Sequence, residues 1–186
     1  NNNNFILERH NFTIFGTKNT ITKLKELYNN STNLYDLGFK VVVGNVVWNQ
    51  CKTILTNDKK KTRLIYSSDI IDNKLSIKTY QNKDKKNYIE KEGNKEPLMV
   101  INRGYGVGDY KFQYCLINVD YEYLIENHLI CIKYNKKISK DELIKLYNKV
   151  IKSLENEKIK TFIELYFGNN SINTTELNYI IPIYDM

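Results

Sequence analysis

Short apolar runs separated by polar segments dominate the first two-thirds of the chain. Leu75, Ile77 and Thr79 alternate with polar residues, the period-two pattern of a strand with one face in solvent. Other runs are apolar almost throughout and predict buried strands. The predicted strands span 39–48, 62–66, 75–79, 98–102, 110–117 and 128–134. A polar loop at 55–62 and a charged surface loop with some extended structure at 81–96 lie between them.

The apolar period becomes that of a helix after residue 138. Ser139 and Glu142 form a capping-box pattern. The apolar residues that follow at helical spacing are Leu143, Leu146, Tyr147, Val150, Ile151 and Leu154. A second helical segment is predicted over 158–167, and a short helix that starts at Asn173 or Thr174 is predicted to end at Pro182. Near the N-terminus, Thr20 is predicted to cap a short helix over 21–28.

This order of elements, strands first and helices last, indicates an α+β fold. The strand-rich N-terminal two-thirds is expected to form a twisted mixed or antiparallel sheet, followed by a C-terminal helical segment. A chain of 186 residues is long enough to bury a sizeable core in a single domain. Residues 1–36 are predicted to be a polar lead and a short helix, and residues 37–186 the main folded unit.

The composition excludes several classes of protein. Hydrophobic residues make up 41% of the chain, too many for a disordered segment. No stretch approaches the ~18 to 20 apolar residues of a membrane helix, so an intracellular, cytoplasmic protein with no membrane partner is expected. Cys51, Cys115 and Cys131 are widely spaced and form no CxxC pattern, so they are predicted to be free, buried thiols.

The formal net charge of +7 favours a polyanionic partner, nucleic acid first. Asn49 and Gln50 follow a predicted strand, and their amides can pair bidentately with an adenine edge. Lys52 can hold a phosphate. The polar loop and the strand after it add further candidate backbone contacts, Lys59, Lys60, Lys61 and Arg63. A solvated loop with no partner is the alternative for this charge run.

A glycine-rich segment at 104–108 joins two predicted strands, with no helix N-terminus to hold a phosphate, so a hairpin turn is the better interpretation. Arg103, Tyr105, Tyr110 and Lys111 flank its glycines. A guanidinium beside aromatic rings suits phosphates, guanine edges or stacked bases, although the tyrosines could equally pack over the hairpin. His128 is predicted to be a structural histidine, because His and Cys form no metal-ligand cluster at short spacing.

Several segments resemble a single protein family. They are 37–70, with "GNVVWNQ", 100–117, with "NRGYG", 123–132, with "ENH", and 161–185. Together they resemble the TaqI-like C-terminal specificity domain of N6-adenine DNA methyltransferases and related restriction-modification enzymes. The resemblance extends from about Leu37 to Tyr184, and the three quoted motifs together make it fairly specific.

Whole members of that family carry a separate catalytic domain, which binds S-adenosylmethionine and holds an Asn-Pro-Pro-aromatic motif against a flipped adenine. Pro97 and Pro182 are the only prolines here, so this chain lacks that motif. The resemblance therefore implies that 37–186 is a DNA target recognition domain, non-catalytic by itself and without a cofactor of its own. Its implied partners are double-stranded DNA and a methyltransferase catalytic domain or subunit.

By the same resemblance, Asn49 and Gln50 are candidates for base edges, and Arg103 for guanine or phosphate. The implied phosphate contacts are Lys52, Lys59, Lys60, Lys61, Arg63 and Lys111. Two alternatives stay open. One is a protein-interaction module derived from such a domain, and the other is a small metal-dependent nuclease that uses carboxylates such as Asp58, Asp84 and Glu90.

Overall fold

Two four-stranded sheets form the centre of the fold. The computed structural model describes residues 4–103, 112–167 and 172–186. In chain order the strands are β1 Ile6–Arg9, β2 Phe12–Phe15, β3 Phe39–Val43, β4 Leu55–Thr56, β5 Thr62–Ile65, β6 Ile70–Ile71, β7 Lys74–Leu75, β8 Tyr88–Ile89, β9 Leu98–Asn102, β10 Tyr114–Ile117, β11 Tyr123–Ile125 and β12 Leu129–Tyr134. The α-helices are α1 Lys18–Leu27, α2 Lys140–Leu154 and α3 Glu157–Tyr166.

The first sheet is antiparallel, with strand order β10-β9-β12-β3. Both of its faces are buried, and successive residues of β12 alternate between them. Ile130 and Ile132 pack into the cluster that contains the helices, whereas Leu129 and Cys131 pack into a second cluster against the other sheet. This two-sided burial explains why Leu129–Ile132 of β12 is an apolar run without alternation, because neither face meets water there.

The second sheet is mixed, with strand order β11-β5-β8-β4. β5 runs parallel to β11, with Arg63 opposite Tyr123, and antiparallel to β8. Its core residues also alternate, since Ile65 packs toward the first sheet while Leu64 joins a third cluster with Val46 and Tyr66. The mixed and antiparallel pairing confirms the predicted α+β fold with a strand-rich N-terminal part and a helical C-terminal part.

A hairpin of β1 and β2, which the sequence pattern did not predict, precedes α1. Leu7 and Ile14 are its buried residues, and they pack with Leu24 of α1 and Phe162 of α3 in one cluster. Each strand has four residues and only one buried position, which is too short a pattern to show a period. The predicted division between residues 36 and 37 stays a prediction.

The helix ends agree closely with the sequence pattern. Ser139 and Glu142 form the predicted capping box of α2: the Ser139 hydroxyl accepts the Glu142 N–H at 3.3 Å, and the Glu142 carboxylate accepts the Ser139 N–H at 3.0 Å. Asn173 and Glu176 are paired in the same reciprocal way ahead of a π-helical turn at Glu176–Ile180. The predicted cap of α1 is wrong by one turn, because the Thr17 hydroxyl accepts the Thr20 N–H at 3.2 Å.

Three predicted strands differ from the structure. The strand at 39–48 ends at Val43, because the chain leaves the first sheet at Gly44. The strand at 75–79 is reduced to β7, paired with β6, and Ile77 is 42% exposed. β10 begins at Tyr114 rather than at residue 110, and the predicted turn at 104–108 lies outside the described residues. No helix of the described residues is long and apolar enough to cross a membrane.

The cysteines are free, as predicted. Cys115 and Cys131 are buried in the cluster between the two sheets, and Cys51 is half-buried. Burial raises the pKa of both the Cys115 and the Cys131 thiols to about 11. These two side chains therefore serve as small hydrophobic core residues rather than as reactive groups.

Among the glycines that the structure describes, Gly44 has the least room for a side chain. A Cβ atom there would lie 2.2 Å from the carbonyl oxygen of Glu126, which is backbone and has no room to move. We expect Gly44→Ala to lower the free energy of unfolding by roughly 1 to 3 kcal/mol or more, as overpacking does. Urea denaturation followed by circular dichroism measures this change.

Gly16→Ala is the matched control. A Cβ at Gly16 would meet only side-chain atoms at 3.5 Å or more, which is ordinary van der Waals contact. We expect its unfolding midpoint to stay within error of the wild type. Equal stability of both variants would contradict the close approach of Gly44 to Glu126.

Candidate nucleic-acid interface

Trp48–Gln50 forms a tight 3₁₀ turn and Lys52–Ile54 a second one, so the predicted strand at 39–48 does not extend to Trp48. Trp48–Gln50 is a single 3₁₀ turn, in which the Gln50 N–H donates to the Val47 carbonyl at 2.9 Å. Trp48 is half-buried and packs against the cluster of Val46, Leu64 and Tyr66. Asn49 and Gln50 point into solvent. The indole therefore anchors a turn that presents two amide side chains.

Lys52 connects this turn to the segment at 81–86. Its Nζ lies 2.8 Å from Asp84 Oδ2 and 5.8 Å from the centroid of the Trp48 ring. The hydrogen bond from Lys52 lowers the pKa of the Asp84 carboxyl. Both side chains are about half exposed, so solvent weakens the ion pair and a phosphate can compete with Asp84 for the ammonium.

Lys59, Lys60 and Lys61 lie on the exposed connection between β4 and β5. Asp58 shapes this connection by accepting the Lys60 N–H at 2.9 Å on its carboxylate and the Lys61 N–H at 3.1 Å on its carbonyl. The three lysines are part of the lining of an open cleft of about 580 Å³. The connection is therefore held in one conformation while the ammonium groups stay in water.

The same cleft contains basic residues that the sequence analysis left out. Lys91 and Lys95 also line it, so that its lining contains five lysines and three glutamates, Glu90, Glu92 and Glu122. β8 pairs with both β4 and β5, and this pairing places the residues after Ile89 beside the connection at 57–61. In the sequence, the only feature that points to Lys91 and Lys95 is the mixed charge of 90–96, which is also typical of a solvated loop.

Arg63 is placed differently from its neighbouring lysines. It is 8% exposed, and its guanidinium carbon lies 4.8 Å from the centroid of the Tyr88 ring. Nε and Nη2 have no hydrogen-bond partner among the described residues. Burial raises the pKa of Tyr121, a cleft residue, and the charge of Arg63 opposes that change. The structure thus stacks Arg63 inside the sheet and does not display it on the loop surface.

Arg103 is exposed at the end of β9. Its backbone N–H donates to the His128 carbonyl at 3.4 Å, and its Nη1 donates to the Asn127 carbonyl at 3.5 Å. Arg103 therefore lies beside the turn at 126–128, which carries the "ENH" motif. Tyr105, Tyr110 and Lys111, the other candidates from this segment, lie outside the described residues.

The turn at 126–128 pairs a buried carboxylate with an exposed imidazole. Glu126 is 1% exposed, and its Oε1 lies 2.5 Å from His128 Nδ1. The His128 N–H donates to Glu126 Oε2 at 3.1 Å. The His128 side chain is 65% exposed, so it is satisfied at one nitrogen, as a structural histidine would be, but it does not lie in the core.

A second buried carboxylate, Asp69, organises the segment that carries Asp84. It is fully buried and accepts hydrogen bonds from the Tyr66 N–H at 3.0 Å, the Lys78 N–H at 2.9 Å and the Tyr80 hydroxyl at 2.8 Å. Lys85 Nζ lies 4.2 Å and 4.1 Å from the ring centroids of Tyr66 and Tyr80. Burial lowers the pKa of Lys85, and the charges of Glu126 and Asp69 oppose that shift.

The carboxylates proposed for a nuclease have other contacts. Asp58 caps its own turn, Asp84 pairs with Lys52, and Glu90 lines the lysine-containing cleft. Within residues 4–103, 112–167 and 172–186, no group of three or more His, Cys, Asp or Glu side chains is arranged to hold a metal ion.

The chain matches no protein-family model and no curated protein. Among solved structures it is similar to the HsdS subunit from Thermoanaerobacter tengcongensis, with a TM-score of 0.37 and 10% sequence identity. The match covers 90% of this chain and 39% of that subunit.

We expect Asp69→Ala to destabilise the fold strongly, because three donors lose their acceptor and one of them is a buried backbone N–H. The expected loss is about 3 kcal/mol in the free energy of unfolding, measured by urea denaturation. Asp120→Ala is the control, since Asp120 is exposed and accepts no hydrogen bond among the described residues. A small, equal change in both variants would contradict the role given to Asp69.

Proposed function

We propose that this chain is a DNA target recognition domain of an N6-adenine methyltransferase or of a restriction-modification enzyme. In this role it binds double-stranded DNA in a sequence-specific manner in the cytoplasm. The observation that carries the proposal is the cleft whose lining brings together Lys59, Lys60, Lys61, Lys91 and Lys95. Five ammonium groups along an open cleft suit the phosphate backbone of a duplex, and the three glutamates among them leave a net charge of +2 there.

Specific recognition needs side chains that reach base edges as well as phosphates. Asn49 and Gln50 are exposed on a turn that Trp48 anchors, and each amide offers a donor and an acceptor. Arg103 is exposed at the end of a sheet strand and can donate two parallel hydrogen bonds to guanine. Lys52 serves as a phosphate contact that leaves Asp84 when DNA binds. These groups project from fixed elements, which favours recognition in one register.

Arg63 has a different role in this proposal. Its buried guanidinium stacks on Tyr88 in β8, next to the strand that carries the lysine connection. It supports the positive potential of the cleft from within the sheet and does not clamp a phosphate directly.

We propose that the chain does not transfer methyl groups by itself. S-adenosylmethionine and the Asn-Pro-Pro-aromatic motif belong, in this proposal, to a separate catalytic domain or subunit that the recognition domain positions on DNA. Mixing the chain with such a subunit would supply methylation at the sites that the chain selects.

The test is selection from a random duplex pool by the purified chain at ~100 mM salt, followed by sequencing of the retained DNA. An enriched short motif that contains adenine is the expected result. Retention of duplexes without an enriched motif would mean that the chain contacts only the DNA backbone. Retention of no duplex would overturn the proposal.

We expect the Lys59→Gln/Lys60→Gln/Lys61→Gln variant to bind all duplexes more weakly. For every lysine that no longer neutralises a phosphate, the plot of log affinity against log salt should become less steep by about 0.9, so the slope should change by roughly 2 to 3. The enriched motif should stay the same, because interactions with phosphates carry no sequence information. Fluorescence anisotropy over a salt series measures both effects.

The matched control replaces three exposed lysines of α2, Lys145, Lys149 and Lys152, by glutamine. This variant has the same net charge as the first, and its slope should remain that of the wild type. Equal slopes in the two triple variants would show that total charge, and not the cleft, controls binding.

A second groove, which adjoins the lysine-containing cleft at residues 94–96, favours a second candidate, a protein-interaction module. Its volume is about 570 Å³, and it has an apolar lining that includes Pro97, Leu98, Tyr134 and Leu143. Ile138, at its rim, is 38% exposed. A pull-down of a protein partner that resists high salt and needs no DNA would favour this candidate over DNA recognition.

A further inference from the structure

Burial of the Glu126 carboxylate costs free energy, and the hydrogen bonds of this side chain go to a single residue, His128. A carboxylate that is 1% exposed loses most of its hydration, and the fold tolerates it only when hydrogen bonds replace water. Both carboxylate oxygens are used by His128: Oε1 by the ring Nδ1 at 2.5 Å and Oε2 by the backbone N–H at 3.1 Å. The arrangement therefore serves to hold His128.

The imidazole that Glu126 holds is open to solvent. With Nδ1 as donor to the carboxylate, the neutral ring has Nε2 as an acceptor, and the protonated ring has a second donor there. Nε2 has no hydrogen-bond partner among the described residues, and the side chain is 65% exposed. A buried carboxylate thus sets the tautomer and the orientation of a ring whose other nitrogen faces outward, as in the outer shells of histidine sites.

Arg103 lies beside the turn that carries this imidazole. β9 and β12 pair Asn102 with Leu129, so the next position of the antiparallel register brings Arg103, just after β9, opposite His128, just before β12. The Arg103 N–H donates to the His128 carbonyl at 3.4 Å, and Nη1 donates to the Asn127 carbonyl at 3.5 Å. Side chains opposite each other in an antiparallel pair lie about 5 Å apart at Cβ, so both reach the same patch of surface.

The turn that carries His128 is clamped from the other side by 44–46. The Val46 N–H donates to the Ile125 carbonyl at 3.3 Å, and the Asn127 N–H donates to the Val46 carbonyl at 2.9 Å. Gly44 packs so closely that a Cβ would lie 2.2 Å from the Glu126 carbonyl oxygen. A recognition group on such a turn loses little conformational freedom on binding.

We propose that His128 reads a base edge in the recognised DNA together with Arg103, and that Glu126 is the positioning residue for His128. This inference rests on the proposed DNA-binding function and deepens it. His128 contributes Nε2 as a hydrogen-bonding group, and Arg103 contributes a guanidinium beside it. Neither His128 nor Glu126 is among the residues that the family resemblance assigns to DNA.

The experiment uses the full chain and the duplex motif that it enriches from a random pool. Affinities are measured for that motif, for its single-base variants and for unrelated DNA, with wild type, His128→Ala, Glu126→Gln and the double variant. We expect His128→Ala to weaken binding to the motif by about tenfold and to abolish discrimination at one base pair, with little change on unrelated DNA. Arg103→Ala should relax preference at the same or an adjoining base pair.

Glu126→Gln should lose discrimination at the same base pair as His128→Ala, and the double variant should lose no more than His128→Ala alone. A glutamine can retain one hydrogen bond to the ring without fixing the tautomer. The ¹⁵N shifts of the His128 ring, recorded without DNA, should show protonated Nδ1 in the wild type and a mixed tautomer in Glu126→Gln. A dispersed amide spectrum checks that each variant is folded.

His10→Ala is the matched control, since His10 is the other histidine and is exposed at the β1–β2 turn. A wild-type motif preference in His128→Ala would overturn the inference while leaving the proposed function in place. Uniform weakening on every sequence would also overturn it, because it would make His128 a phosphate contact. Failure of the wild type to retain any duplex would overturn the function and the inference together.

Discussion

The contact between 44–46 and 125–129 is the constraint on which the rest of the structure depends. Here the chain leaves β3 of the first sheet, and the Gly44 N–H still donates to the Leu129 carbonyl at 2.8 Å. Two residues later Val46 bridges Glu126 in parallel, next to the end of β11 in the second sheet. Only glycine allows the backbones to come this close, so one residue type decides how the two sheets are joined.

This junction also determines where the candidate recognition groups lie. Val46 is buried in the third cluster, and Trp48 packs against the same cluster, so the turn with Asn49 and Gln50 starts from a fixed point. On the other side of the junction, the turn at 126–128 carries His128 beside Arg103. Groups that are far apart in sequence are thus attached to one rigid framework, which is the arrangement that sequence-specific recognition requires.

The charged residues form an exposed set and a buried set, and the buried carboxylates hold neighbouring segments in place. The lysines at 59–61, 91 and 95 stay in water along one cleft. Screening by solvent and salt weakens their attraction to the nearby glutamates, so their ammonium groups remain available for phosphates. Asp69 and Glu126 are buried, and the carboxylate oxygens of each accept hydrogen bonds from neighbouring donors: Asp69 holds the segment that leads to Tyr80, and Glu126 holds His128. Because a buried carboxylate without partners is costly, these bonds order their segments strongly.

Local pattern in the sequence determined the α+β class, the strands near 62–66, 98–102 and 128–134, and the capping box of α2, because side-chain period and capping act over a few residues. Asn49, Gln50 and the lysines at 59–61 were found as exposed polar groups for the same reason. Tertiary structure alone decided the burial of Arg63, the joining of Lys91 and Lys95 to the cleft, and the pairing of Glu126 and His128 beside Arg103. These depend on strand order and on glycine packing between distant segments, which no local pattern records.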